Sequence, residues 1–152
     1  MKKILIVAAV LLGGVVVLFG LIQLIPVRQT NPAVVTQVNW DSPQTQELFS
    51  RACADCHSNE TVWPWYSKIA PVSWLVARDV NEGREKFNLS NLAGMNSHRL
   101  NELPEELGEV IQEGEMPMPI YLPMHPTAKL SAAEKQALIT GMRQTLANTP
   151  VQ

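Results

Sequence analysis

Residues 42–57 read SPQTQELFSRACADCH, and this stretch decides what kind of fold the chain can have. Ser42 followed by Pro43 is a helix start, with a hydroxyl to cap the first free amides and a proline where its missing N–H does no harm. Leu48, Phe49, Ala52, Cys53 and Cys56 then recur on one helical face, so a helix from Ser42 to Cys56 is predicted to carry both thiols to its buried side. Cys53-Ala54-Asp55-Cys56-His57 is C-x-x-C-H, the spacing used for covalent haem attachment. Two thiols three residues apart can add to the two vinyl groups of one porphyrin, and the next residue, His57, is placed to offer an imidazole nitrogen to the iron. A dithiol redox pair and half of a zinc site are the competing readings. The first wants a thioredoxin-like sheet, which has no strand pattern here. The second wants further ligands, and the chain has only these two cysteines.

On the N-terminal side, residues 28–41 are polar, interrupted by Pro32 and without periodicity, and read as a tether. Before them, residues 1–27 read as a transmembrane anchor. After Lys2 and Lys3 the run from Ile4 to Ile25 contains no charge and one strongly polar residue, Gln23, which is long enough to cross a bilayer as a helix. No small-x-small cleavage site follows it, so an uncleaved span is expected. The lysines ahead of it favour a cytoplasmic N-terminus and a domain on the outer face of the membrane. Both cysteines lie too far downstream to carry a lipoprotein anchor. Beyond the leading lysines stand ten Lys and Arg against fourteen Asp and Glu. That balance argues against nucleic acid and for protein partners that present a basic patch.

On the C-terminal side three more helices are predicted. One begins near Pro71 with Val72, Leu75, Val76 and Val80 inward. Another runs from about Pro104 to Glu113, with Leu103, Leu107, Val110 and Ile111 as its stripe and Gly114 as its stop. The last opens at Ser131 with Glu134 three residues on, a capping box, and turns Leu138, Met142 and Leu146 inward. Between the last two, Pro117, Pro119, Pro123 and Pro126 predict a stiff extended loop. Residues 42–150 therefore read as a small all-α domain with few large apolar side chains, in which one buried haem would supply missing core volume.

The ligand opposite His57 has several candidates: Met116, Met118, Met124, His98, His125, or an open position. Isolated methionines usually fill cores. Met116 is preferred because Gly-Glu-Met-Pro puts a thioether at the first rigid point after a helix stop, where the loop can return over the haem. Trp63, Trp65, Tyr66 and Trp74 read first as aromatic packing around the cofactor, with an indole N–H or the tyrosine hydroxyl as a donor to a propionate. Arg78 reads as part of a solvated helix face.

The run Cys53 to Tyr66 (CADCHSNETVWPWY), then Ala70-Pro71-Val72-Ser73-Trp74-Leu75, the Asp79 to Gly83 segment, Gly114-Glu115-Met116-Pro117 and His125-Pro126 together resemble the bacterial haem-binding domain family, itself similar to small class I cytochromes c. The resemblance extends from Trp40 to about Ala147 and departs at Met118, where a second proline or an aromatic is expected. It implies a cytochrome c-like fold around one haem c. In that fold a first helix ends in the attachment motif, here Ser42 to Cys56. A distal methionine loop corresponds to Met116, and a final helix, Ser131 to Leu146, crosses the first. Cofactor contacts are then expected from Cys53, Cys56, His57 and Met116, with His57 and Met116 on the iron.

Such a chain is expected to act as a membrane-anchored monohaem electron carrier serving redox partner proteins. The alternatives are a haem-based sensor or peroxidase-like enzyme with a labile distal ligand, and a haem-containing structural subunit of a membrane complex. No carboxylate pair or nucleophile arrangement suggests acid–base or covalent catalysis by the protein itself.

Overall fold

The computed structural model describes residues 1–150, which form helices and turns without any strand. Helix α1 (Lys2–Ile22) is apolar throughout and none of its residues is buried. Its 21 residues give a rod about 30 Å long, enough to cross a bilayer core. Helix α2 (Pro43–Ala52) starts as the sequence predicts, with the Ser42 side chain accepting from the Thr45 amide and Pro43 in the first turn. It does not run on to Cys56. Cys53 leaves helical geometry (φ −130°, ψ −33°), and α3 (Ala54–His57) is a separate single turn. Helices α4 (Val72–Lys86), α5 (Ser97–Glu113) and α6 (Ala132–Asn148) complete the set.

The chain divides into two compact units, one of Met1–Gln29 with Trp63–Asp79, the other of Thr30–Val62 with everything described from Val80 onward. The second unit contains the core. Leu48 and Phe49 of α2, Leu103 and Ile111 of α5, and Leu138 and Met142 of α6 are buried together with Leu92. Helix α6 crosses α2 at Gly141, where a methyl group would lie 1.9 Å from the Thr45 hydroxyl oxygen and 2.9 Å from an Asp41 carboxylate oxygen. Only a residue without Cβ lets the two backbones come so close. The capping box at Ser131 and Glu134 is complete. Arg51, near the end of α2, pairs with Glu134 and donates to the Thr127 carbonyl, so the start of α6 is tied to α2. The stretch read as a tether lies along this unit from Thr30 on: the amides of Val35 and Thr36 donate to the Ser90 carbonyl at 2.8 and 2.9 Å, and the Asn39 amide donates to the Thr149 hydroxyl at 3.1 Å.

Three expectations about the helices change. The helix expected from Pro104 starts two turns earlier, because Asn96 caps the Arg99 amide and the stripe of Leu100, Leu103, Leu107 and Ile111 continues straight through Pro104. In α4, Val80 is buried as expected but Val72 and Leu75 are exposed, and the other buried positions are Ser73, Ala77 and Gly83, small residues that hydropathy alone does not mark. The proline-rich segment is not extended. The amides of Tyr121, Met124 and His125 return to carbonyls three residues back, and Pro126–Ala128 forms one 3-10 turn. Prolines with φ near −65° seed such turns as readily as they stiffen an extended chain.

Candidate functional site

The C-x-x-C-H turn is built locally and then lashed down. After the break at Cys53, its carbonyl accepts from the amides of Cys56 and His57, at 3.2 and 2.9 Å, which closes the turn and sends the His57 ring inward. The Ser58 hydroxyl donates to the Ala54 carbonyl and the Thr61 hydroxyl to the Asp55 carbonyl, both at 2.7 Å. Asp55 accepts from the Val62 amide at 2.9 Å. The guanidinium of Arg84 donates to the Ser58 carbonyl, the Thr61 hydroxyl and the Thr30 carbonyl, each at 2.8 Å. Beneath the turn, α4 presents Gly83, where an added methyl would stand 2.6 Å from the Cys56 carbonyl oxygen. That close approach is what a glycine in this helix permits.

His57 is buried, stacked at 4.2 Å and 9° on the ring of Phe87, with its Nδ1 3.2 Å from the Phe87 carbonyl oxygen. A carbonyl can only accept, so Nδ1 carries the proton and Nε2 keeps a lone pair for a metal. Burial lowers the imidazole pKa, against the opposing pull of hydrogen bonds to the backbone of Phe87 and Gly83, and this favours the neutral, ligating form. Burial, followed by the neighbouring Cys56, pushes the Cys53 thiol up to about 12. Among the described residues no group of three or more His, Cys, Asp or Glu is gathered for a metal ion, so the zinc reading finds no ligand set.

A cavity of about 430 Å³ opens beside His57. Phe87, Leu103, Leu107 and Val110 give it apolar walls, Lys86, Arg99 and Glu106 bring charge to it, and Met116 lines it together with His57. Arg99 and Glu106 are themselves paired, at 2.9 Å. Met116 reaches this place because Gly114 takes a left-handed conformation (φ 82°) at the end of α5 and the Met116 amide folds back to the Val110 carbonyl at 3.0 Å. The other candidates lie elsewhere. Met124 is 53% exposed, and His98 is solvent-facing beside Glu102. His125 stacks on Tyr121 at 3.8 Å, and Met118 is half-buried without lining the cavity. A histidine and a methionine lining one cavity are a donor pair that suits haem iron.

Sequence reasoning missed four residues that shape this site. Asp55, inside the motif, accepts from the Tyr121 hydroxyl at 2.7 Å and so ties the methionine loop to the attachment turn. Arg84, Gly83 and Phe87 take their roles from partners 23 to 54 residues away in the chain, which no local pattern marks. In the first unit, Trp65 and Tyr66 pack edge to face at 5.8 Å and Trp65 is 68% exposed. The buried indole N–H of Trp74 has no acceptor among the described residues. Arg78 is exposed, as expected for a solvated face.

A family model described as a haem-binding domain matches residues 17–144, most of the chain. No significant match is found among curated proteins or among solved structures.

Proposed function

Because the chain belongs to the haem-binding domain family, we propose that it is a c-type cytochrome with one haem, anchored by α1 in the bacterial inner membrane and passing electrons between redox partner proteins on the periplasmic face. Cys53 and Cys56 would hold the porphyrin covalently, and His57 and Met116 would offer its iron an imidazole nitrogen and a thioether sulfur. The haem supplies a one-electron iron couple. The protein orients the imidazole through the Phe87 carbonyl, lines the cavity with Phe87, Leu103, Leu107 and Val110, and would offer the Met116 thioether as a further ligand. The observation that carries this reading is the shared cavity: His57 and Met116, 59 positions apart in the sequence, line the same apolar space. Methionine opposite histidine raises the reduction potential and saturates the iron, which suits electron transfer.

One feature favours a second reading, a sensor or peroxidase-like enzyme with a labile distal side: Met116 sits on a loop and is only partly buried. The two readings separate on one preparation, the full chain matured with a cytochrome c assembly system. Electron transfer requires colour that survives acid-acetone extraction, a low-spin spectrum in both oxidation states and no response of the reduced protein to carbon monoxide. Met116→Ala should abolish the far-red sulfur-to-iron band of the ferric form and open the ferrous form to carbon monoxide. Colour lost to acid-acetone would end the covalent assignment, and a far-red band surviving in Met116→Ala would end the ligand assignment.

A further inference from the structure

The end of α1 is hydrogen-bonded to a later stretch of the same compact unit, and that stretch exposes apolar side chains. Gln23, in the last turn of the apolar helix, uses its whole amide. It donates to the Phe19 carbonyl at 3.0 Å and to the Ala70 carbonyl at 3.1 Å, and it accepts from the Ala70 amide at 2.9 Å. Gln29 donates to the Ser67 carbonyl. Ala70 and Ser67 are buried by these contacts and their neighbours, whereas Trp65 (68%), Ile69 (39%), Val72 (41%) and Leu75 (40%) are open to the surroundings. Leu24 and Ile25, at the end of the anchor, are exposed too.

A helix of 21 residues matches the thickness of a hydrocarbon core, so Gln23 at its end lies at the boundary between acyl chains and headgroups. Its amide is satisfied within the protein, by the Phe19 carbonyl and by the backbone of Ala70. Ala70 is therefore held at headgroup depth, and its neighbours with it. Tryptophan and tyrosine with scattered aliphatics are the composition that proteins place in this layer, and the exposed Lys68 suits anionic phosphates.

We infer that Trp65–Leu75 is a second membrane contact: a monotopic element pinned to the end of the span, with Trp65, Ile69 and Val72 seated among lipid headgroups and the upper acyl chains. The inference rests on the reading of α1 as a bilayer span and adds a lipid-binding surface to it.

The test is photo-crosslinking of the full-length, haem-loaded protein in vesicles of phosphatidylethanolamine and phosphatidylglycerol. A benzophenone amino acid replaces Ile69 or Val72 in turn, and also Leu12 in the middle of α1 and Gln136 on the exposed face of α6. Lipid adducts are read by mass spectrometry. The expected result is adducts at Ile69 and Val72 several-fold above those at Gln136, with Leu12 strongly labelled. Strong labelling at Leu12 with background labelling at Ile69 and Val72 would overturn the interface element while leaving the anchor intact. Background labelling at Leu12 would remove the anchor and the interface element together. Adducts to protein in place of lipid at Ile69 and Val72 would also overturn the proposal, since the face would then belong to a protein partner.

Discussion

The two sides of the cavity are made differently. On the side of His57 the ring is buried, stacked and hydrogen-bonded, and the turn carrying it is closed by its own backbone and by Asp55, Thr61 and Arg84. On the side of Met116 a half-buried side chain comes from a run of turns, tied to the turn of His57 by the bond of Tyr121 to Asp55. One wall is prepared by its own hydrogen bonds, and the other is a strap.

The strongest way to break the comparison is to spoil the prepared wall. Gly83→Ala would gain up to about 1 kcal/mol of helix propensity. Its methyl, however, would stand 2.6 Å from the Cys56 carbonyl oxygen, a backbone atom that cannot rotate aside. Overpacking of this kind costs about 1–3 kcal/mol. The expected outcome is a net loss of stability in denaturant unfolding and a lower yield of covalently loaded protein; a variant as stable and as well loaded as wild type would show that the wall is not rigid.

A gentler substitution probes the strap. Tyr121→Phe removes the hydroxyl donor to Asp55 and should cost about 1 kcal/mol. It should also increase carbon monoxide binding to the reduced protein, because the loop carrying Met116 loses a tie. An unchanged gas response would mean that other contacts position the loop.

The smallest effect is expected far from both walls. The Glu134 carboxyl is held below the ordinary 4.5 by hydrogen bonds from the Ser131 backbone and side chain, assisted by Arg51. Its folded-state pKa is depressed, so the stabilisation is present above 4.5 and is lost as pH falls through the lower folded value. Glu134→Gln should therefore be slightly less stable than wild type near neutrality, and the gap should close in acid. A gap that persists below the folded pKa would assign the effect to the shape of the capping box and not to its charge.

The pattern of success in the sequence follows the range of the interactions. Ser42, Pro43, Ser131 and Glu134 act on amides within three residues, so their helix starts are readable from the string alone. The start of α5 was misplaced because Pro104 looked like a beginning, although Asn96 already caps the helix two turns earlier and tertiary burial of Leu100 and Leu103 carries it past the proline. On the inner face of α4 only Val80 matches the hydropathy pattern, because the other buried positions, Ser73, Ala77 and Gly83, are selected for smallness, which such a pattern does not register. Asp55 was passed over as a spacer between cysteines, since its partner Tyr121 lies 66 residues on.

By itself, then, the amino-acid string determined an apolar helix of bilayer length, an all-helical domain, two thiols and an imidazole in one turn, and membership in a haem-binding family. These are encoded in spacings of one to four residues or in a continuous apolar run. Tertiary structure alone decided that Met116 lines the cavity of His57 while Met124 and His98 face solvent, that Gly83 admits the Cys56 backbone, and that Gln23 grips Ala70. Each of those depends on bringing together atoms from distant parts of the chain, and no local pattern specifies where a distant partner will arrive.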